Sequence, residues 1–174
     1  MNMIVAFCKN RGIGSNNMLP WHIPNELKYF KRQTTCGEKN AIVMGKNTWD
    51  SLPKKPLQNR KNIILSSSLH QNREFQSKYK NTLINSNFDE LNNTIEILTN
   101  KEYKIWIIGG KSIYDYYIKD PKLENIYVTY INNYFLHDVK FPEIPNNFKL
   151  KNTGPLFDYK RTTYYHKIYK NDYL

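Results

Sequence analysis

Short, uninterrupted apolar runs recur along this chain, and they set its fold class before any chemistry is considered. Ala41-Ile42-Val43-Met44, Ile63-Ile64-Leu65 and Ile105-Trp106-Ile107-Ile108 contain no charged residue. That is the pattern of strands buried on both faces of a largely parallel sheet. Strands are predicted over Met3–Cys8, Asn40–Gly45, Lys61–Ser66, Asn81–Asn85, Lys104–Ile108 and Leu123–Ile131. Helical patterns fall between them, over Asn25–Gln33, Lys46–Leu52, Phe88–Leu98 and Lys111–Ile118. The third has a start signal, Asn87 followed three positions later by Glu90. Near the end, Phe148–Lys151 and Arg161–Tyr169 read as an antiparallel hairpin turned in the Gly154-Pro155 region. The predicted fold is therefore α/β, a single domain over residues 1–174. Its core is a central mixed, mostly parallel, eight-stranded sheet with flanking helices and a C-terminal antiparallel hairpin.

Composition narrows the class. A chain of 174 residues with 40% hydrophobic content can bury a core without staples. Cys8 and Cys36 lack any metal-type spacing and read as reduced thiols, so no metal is expected and a cytoplasmic location is. The first eight residues have no basic leader segment and read as a strand. No apolar run approaches the ~18–20 residues of a membrane span. The net charge is +11, carried by 21 Lys and only 5 Arg, with 23 Asn, all scattered along the chain. A nucleic-acid reader more often clusters Arg with aromatics on one element. The bias is therefore read as compositional, with a modest preference for anionic ligands and no nucleic-acid or membrane partner.

Ligands of such sheets gather where strands end at their carboxyl edge. Cys8–Asn10, Gly45–Lys46, Ser66–Ser67 and Gly109–Gly110 share that rim. Gly109-Gly110 follows a buried strand and opens a helix, so a backbone can approach a bulky anion such as a diphosphate; a tight structural turn is the alternative. Gly45-Lys46-Asn47-Thr48 repeats the arrangement with a cation and a hydroxyl. Two such junctions suit a dinucleotide, and Ser66-Ser67-Ser68 offers hydroxyls for a further phosphate or is simply a loop. Glu26 and Phe30 stand one helical turn apart, after Trp21. A carboxylate so placed is partly desolvated, its pKa rises, and it can accept from an amidine-like edge; otherwise it is an ordinary first-turn glutamate. Gly12–Asn17 reads as a flexible lid or a plain surface loop, and Arg60 as a carboxylate clamp or a solvated side chain.

In order along the chain stand Ile4-Val5-Ala6, Asn10-Arg11-Gly12-Ile13-Gly14, Leu19-Pro20-Trp21, Glu26-Leu27-Lys28-Tyr29-Phe30, Met44-Gly45-Lys46-Asn47-Thr48-Trp49 and Arg60-Lys61-Asn62. Leu65-Ser66, Ile108-Gly109-Gly110, Tyr114, Tyr127-Val128-Thr129 and Asp138-Val139-Lys140-Phe141-Pro142 follow. This series closely resembles dihydrofolate reductase over essentially the whole chain. The resemblance implies reduction of dihydrofolate with NADPH, and sensitivity to antifolate inhibitors. It implies catalytic roles for Glu26, which binds the pterin and promotes protonation of its N5, for Trp21, which orders a water, and for Thr129, which bonds Glu26. Ile4, Val5, Leu27, Phe30, Ser51, Leu52 and Ile108 would line the substrate pocket, and Arg60 would hold the glutamate α-carboxylate. Ala6, Ile13 and Tyr114 would surround the nicotinamide, with Gly14 and Leu19 also on the cofactor side. Gly45, Lys46, Asn47, Thr48, Leu65, Ser66, Ser67, Gly109, Gly110, Lys111, Ser112 and Ile113 would take the phosphates and ribose. A monomer is expected unless the chain is fused to, or associated with, thymidylate synthase.

Three positions depart from the pattern. The acid is Glu, as in animal-like members, while the single Pro24 before it resembles the shorter bacterial spacing. Ser67 replaces an arginine that some members use for the 2′-phosphate, which leaves Lys46 as the best cation for it. Val139 stands where Thr or Ala is frequent. Two other readings compete: a reductase of riboflavin biosynthesis, which would have no use for Arg60, and a non-catalytic nucleic-acid-binding module.

Overall fold

A computed structural model describes residues 1–79 and 81–174. The elements run β1 (Asn2–Cys8), β2 (Gly12–Gly14), α1 (Pro24–Thr34), β3 (Asn40–Gly45), α2 (Lys46–Ser51), β4 (Lys61–Leu65), α3 (Ser67–His70), α4 (Arg73–Lys78) and β5 (Thr82–Asn85). They continue with α5 (Phe88–Asn100), β6 (Lys104–Gly109), α6 (Lys111–Tyr117), β7 (Asn125–Ile131), β8 (Val139–Lys140), β9 (Phe148–Thr153), β10 (Phe157–Tyr159) and β11 (Thr162–Asn171). The main sheet is ordered β10-β11-β7-β1-β6-β3-β4-β5, with β9 also paired to β11. From β7 to β5 every pairing is parallel, and β11 enters antiparallel to β7. This is the predicted mixed, mostly parallel sheet.

The continuous apolar runs occupy its centre. Ala41, Ile42, Val43, Met44, Ile63, Ile64, Trp106 and Ile107 are all fully buried. Alternate side chains feed two cores, one built on Met3, Val5, Phe7, Val43 and Ile107, the other on Ile4, Ile42, Met44, Trp106 and Ile108. Helices cover both faces, which is why no strand here needed an alternating polar pattern. The Trp106 indole donates to the Asn40 side chain at 3.1 Å, satisfying a polar group in this dry layer.

Five elements among the described residues arose where none was predicted: β2, β8, β10, α3 and α4. The Gly12–Asn17 segment, read as a flexible loop, forms a ribbon: β2 pairs antiparallel with β8. Its return is a tight turn in which Ser15 and Met18 exchange backbone bonds of 2.9 and 3.0 Å. Asn16 and Asn17 take positive φ there (51° and 60°), the two-residue geometry that matches strand twist. At the C-terminus, the hairpin does not turn at Gly154-Pro155 alone. β10 intervenes, and the tight return to β11 is made by Lys160 and Arg161, both at positive φ. The segment between β4 and β5, given no structure from sequence, holds α3 and α4, capped by the Ser66 and Asn72 side chains. The predicted cap of α5 is present: the Asn87 side chain accepts from Glu90 N–H at 2.9 Å.

Candidate active site

α1 begins with Pro24, whose fixed φ suits the first helical position, so Glu26 falls in the first turn and faces inward. Glu26 is only 6% exposed and has no cationic partner among the described residues. Burial pushes its carboxyl up to about 7, and the Thr129 hydroxyl beside it partly offsets that rise. Phe30, one turn on, lines the same cleft, together with Leu27, Ile4, Val5, Ala6, Ser51, Leu52 and Ile108. A bulge at the end of β6 explains why Ile108 reaches the cleft: Val43 pairs with Ile107, but Met44 pairs with Gly109.

The opposite end of the cleft is polar and glycine-rich. Gly45-Lys46-Asn47-Thr48 and Gly109-Gly110-Lys111-Ser112 face one another across it. The two junctions are close: a Cβ on Gly110 would lie 3.2 Å from the Thr48 hydroxyl. Gly109 holds φ at +117°, and a Cβ there would come within 3.0 Å of the Tyr114 ring. The Tyr114 hydroxyl lies 2.9 Å from the Ile4 carbonyl and 2.8 Å from that of Ile108, clipping β1 to β6 under the cleft floor. Lys46 and Lys111 each pair with an acid one turn on, Asp50 and Asp115. Ile13, Gly14, Leu19 and Leu65 complete the predicted wall, and the whole encloses about 470 Å³.

Some predicted residues lie behind this wall. Thr129 is buried beneath Glu26, opposite Ala6 in the sheet register. Trp21 is 8% exposed, set edge-on against Phe135, and its indole N–H finds no acceptor among the described residues. Ile113 is fully buried in the core under Gly45. Ser66 is turned away, its hydroxyl accepting from Leu69 N–H at 3.2 Å to start α3, and Ser67 is exposed beyond it. Arg60 sits at the outer end of α1, donating to the Thr34 hydroxyl at 2.7 Å and to the Gln58 carbonyl at 3.1 Å, with its guanidinium over the Phe30 ring.

Sequence reading missed four residues here. Asn17, Met18 and Val139 line the cleft from the β2–β8 ribbon. The Asn16-Asn17 pair was the available signal, since Asn tolerates positive φ. His166 is the fourth: it lies opposite Thr129 in the β7–β11 register and 3.1 Å from its hydroxyl. Nothing in the local sequence marked it.

The site is thus a sheet-edge cleft with a single buried carboxylate in an apolar end and two glycine-rich strand–helix junctions at the other. That arrangement suits an extended, anionic group beside a smaller polar heterocycle. One protein family, described as Dihydrofolate reductase, matches residues 1–171. The dihydrofolate reductase of Drosophila melanogaster is 38% identical over 154 residues, covering 85% of this chain and 82% of the relative. That of Gallus gallus is 38% identical over 168 residues (89% and 85%), and that of Bos taurus 40% over 153 (83% and 79%). The chain belongs to the dihydrofolate reductase family and is an oxidoreductase.

Proposed function

We propose that this chain reduces 7,8-dihydrofolate to 5,6,7,8-tetrahydrofolate, with NADPH as hydride source, transfer from nicotinamide C4 to pterin C6 and protonation at N5. The observation that carries the reading is Glu26, buried in an apolar cleft end with no cationic partner and no second acid beside it among the described residues. A pterin presents an N–H and an exocyclic amine side by side, and one carboxylate can accept from both. Glu26 in this reading orients the ring and, with a pKa of about 7, holds a proton that can be passed on at neutral pH. Trp21, whose buried indole N–H has no acceptor among the described residues, would hold a water for that proton transfer. Phe30, Leu52 and Ile108 would flank the ring and benzoyl group and exclude solvent. Arg60, already oriented by Thr34 and Phe30, would take the distal α-carboxylate.

The polar end fits a dinucleotide. Gly45 and Gly110 leave backbone exposed where side chains would fill the gap, and Thr48, Ser112, Lys46 and Lys111 supply donors. When bound, the nicotinamide supplies the hydride, which is chemistry no side chain can perform. Lys46 is the cation best placed for the extra phosphate of NADPH, while Ser67 brings no charge to that rim. The chain acts as a single unit over residues 1–174, in the cytoplasm, as a monomer unless joined to thymidylate synthase. Antifolate diaminopyrimidines, which carry the same amidine edge, would compete at Glu26. No helix among the described residues is long and apolar enough to cross a membrane. The test is the Glu26→Gln variant: turnover at neutral pH should fall at least about a hundredfold while cofactor binding persists. Near-normal turnover would remove the assignment.

A further inference from the structure

We propose that His166 is a positioning residue for this reaction, setting the direction in which the Thr129 hydroxyl meets Glu26. The inference rests on the reading of Glu26 given above. His166 and Thr129 are direct cross-strand neighbours on β11 and β7, and His166 Nδ1 lies 3.1 Å from Thr129 Oγ1. The imidazole is clamped on its face by Tyr29, with ring centroids 3.5 Å apart and planes 10° from parallel. Phe157 of β10 and Tyr164 of β11 close in at 5.6 and 5.8 Å. The ring therefore has little freedom to turn away from Thr129. Thr129 stands between Glu26, whose raised carboxyl its hydroxyl partly offsets, and His166, with only Glu26 of the three lining the cleft.

Arg32 on α1 is the charged group that acts on the imidazole, Tyr29 and Tyr164 are the ionisable rings against it, and Tyr29 in turn has Tyr127 and Glu26 about it. Burial, aided by Arg32 over the Tyr29 ring, holds His166 down at about 4, so it is neutral in the working range. A neutral imidazole can accept at one nitrogen and donate at the other. Thr129 has a single hydroxyl proton. When Glu26 carries its proton, the carboxyl donates to Thr129 Oγ1, and the Thr129 proton must then go elsewhere. His166 Nδ1 is the acceptor in place. When Glu26 is ionised, the Thr129 hydroxyl turns to donate to the carboxylate, and His166 Nδ1 becomes the donor after tautomerisation. A phenyl ring at the same position would keep the stack on Tyr29 but leave the hydroxyl proton unpaired in the first state only. An unpaired buried donor is penalised more than an unused lone pair. His166 thus supports the protonated form of Glu26, the form that can deliver a proton.

The test is the pH profile of hydride transfer under single-turnover conditions for wild type, His166→Phe, and His166→Asn, whose amide can take the place of Nδ1. The expected result is a midpoint about one pH unit lower in the Phe variant, an unchanged plateau on the acid side, and recovery in the Asn variant. In a Thr129→Val background, His166→Phe should add no further shift. An unmoved midpoint, or equal shifts in the Phe and Asn variants, overturns the proposal. A second measurement needs no His166 variant. The imidazole nitrogen resonances of the wild-type protein should show an inflection that follows Glu26 and vanishes in Glu26→Gln. Resonances that respond only to the titration of the ring itself overturn it too. The outcomes separate cleanly from the functional reading: absence of dihydrofolate-dependent turnover in wild type removes that reading, whereas the resonances test the hydrogen-bonded chain in either case.

Discussion

At the residue scale, Glu26 is a group the fold holds against its own preference. A carboxyl raised from 4.5 to about 7 favours the folded state below the lower value and loses that contribution as pH climbs through the upper one. Ionised Glu26 therefore costs about 3 kcal/mol of stability above neutrality. Glu26→Gln should accordingly be more stable than wild type at pH 8 by roughly that amount, and nearly equal to it near pH 4. Urea unfolding at the two pH values would check this; equal stability at pH 8 would mean the carboxylate is better solvated than its burial implies. Gly109 makes the complementary point. Its φ of +117° and the Tyr114 ring 3.0 Å from a would-be Cβ leave no room for alanine. Gly109→Ala should lose about 2 kcal/mol and weaken cofactor binding, seen by thermal melting and titration of NADPH. Glu26, Phe30 and the Gly109-Gly110 pair could be singled out from the sequence because their spacing is local, a helical turn or a turn after a strand, while their roles were implied only by the family resemblance. His166 could not, because its meaning depends on the register of β11 against β7, which no short segment encodes.

At the element scale, the central strands were legible because burial on both faces removes polar residues from them altogether. The Asn87 cap was legible for a similar reason, as its chemistry is contained within one turn. The β2–β8 ribbon was not. Its two strands lie far apart in the chain and are too short to show alternation, so only the Asn16-Asn17 turn could have signalled it. The Lys160-Arg161 turn is harder still, since neither residue is favoured at positive φ. The ribbon carries Met18 and Leu19, both largely exposed, at the edge of the cleft. Replacing Asn16 and Asn17 by Ala should destabilise the turn by about 1–2 kcal/mol, because alanine resists that backbone region. Amide exchange should then quicken over Gly12–Leu19 while the melting temperature barely moves. Unchanged exchange in that segment would show that β8 alone holds it.

At the scale of the whole molecule, the charge of +11 has a function-level consequence even if it reflects composition. A cationic surface draws an anionic cofactor inward, and salt screens that pull. kcat/KM for NADPH should fall as ionic strength rises, while kcat holds steady; a salt-independent kcat/KM would mean the charge is spread too evenly to steer. The apolar runs marked which segments are central strands but not their order in the sheet, which parallel neighbours joined by helices only restrict. The resemblance already implied that Thr129 bonds Glu26; what required the structure was His166 from β11, which meets Thr129 of β7 only once the sheet is assembled. The central claim is that this assembly passes a hydride to a pterin beside Glu26. It is tested most directly by turning over dihydrofolate with NADPH deuterated at the transferable C4 position and locating the label in the product. One deuterium at C6 of tetrahydrofolate, formed by wild type and at least about a hundredfold more slowly by Glu26→Gln, is the predicted result. No label at C6, or equal rates for the two proteins, would contradict it.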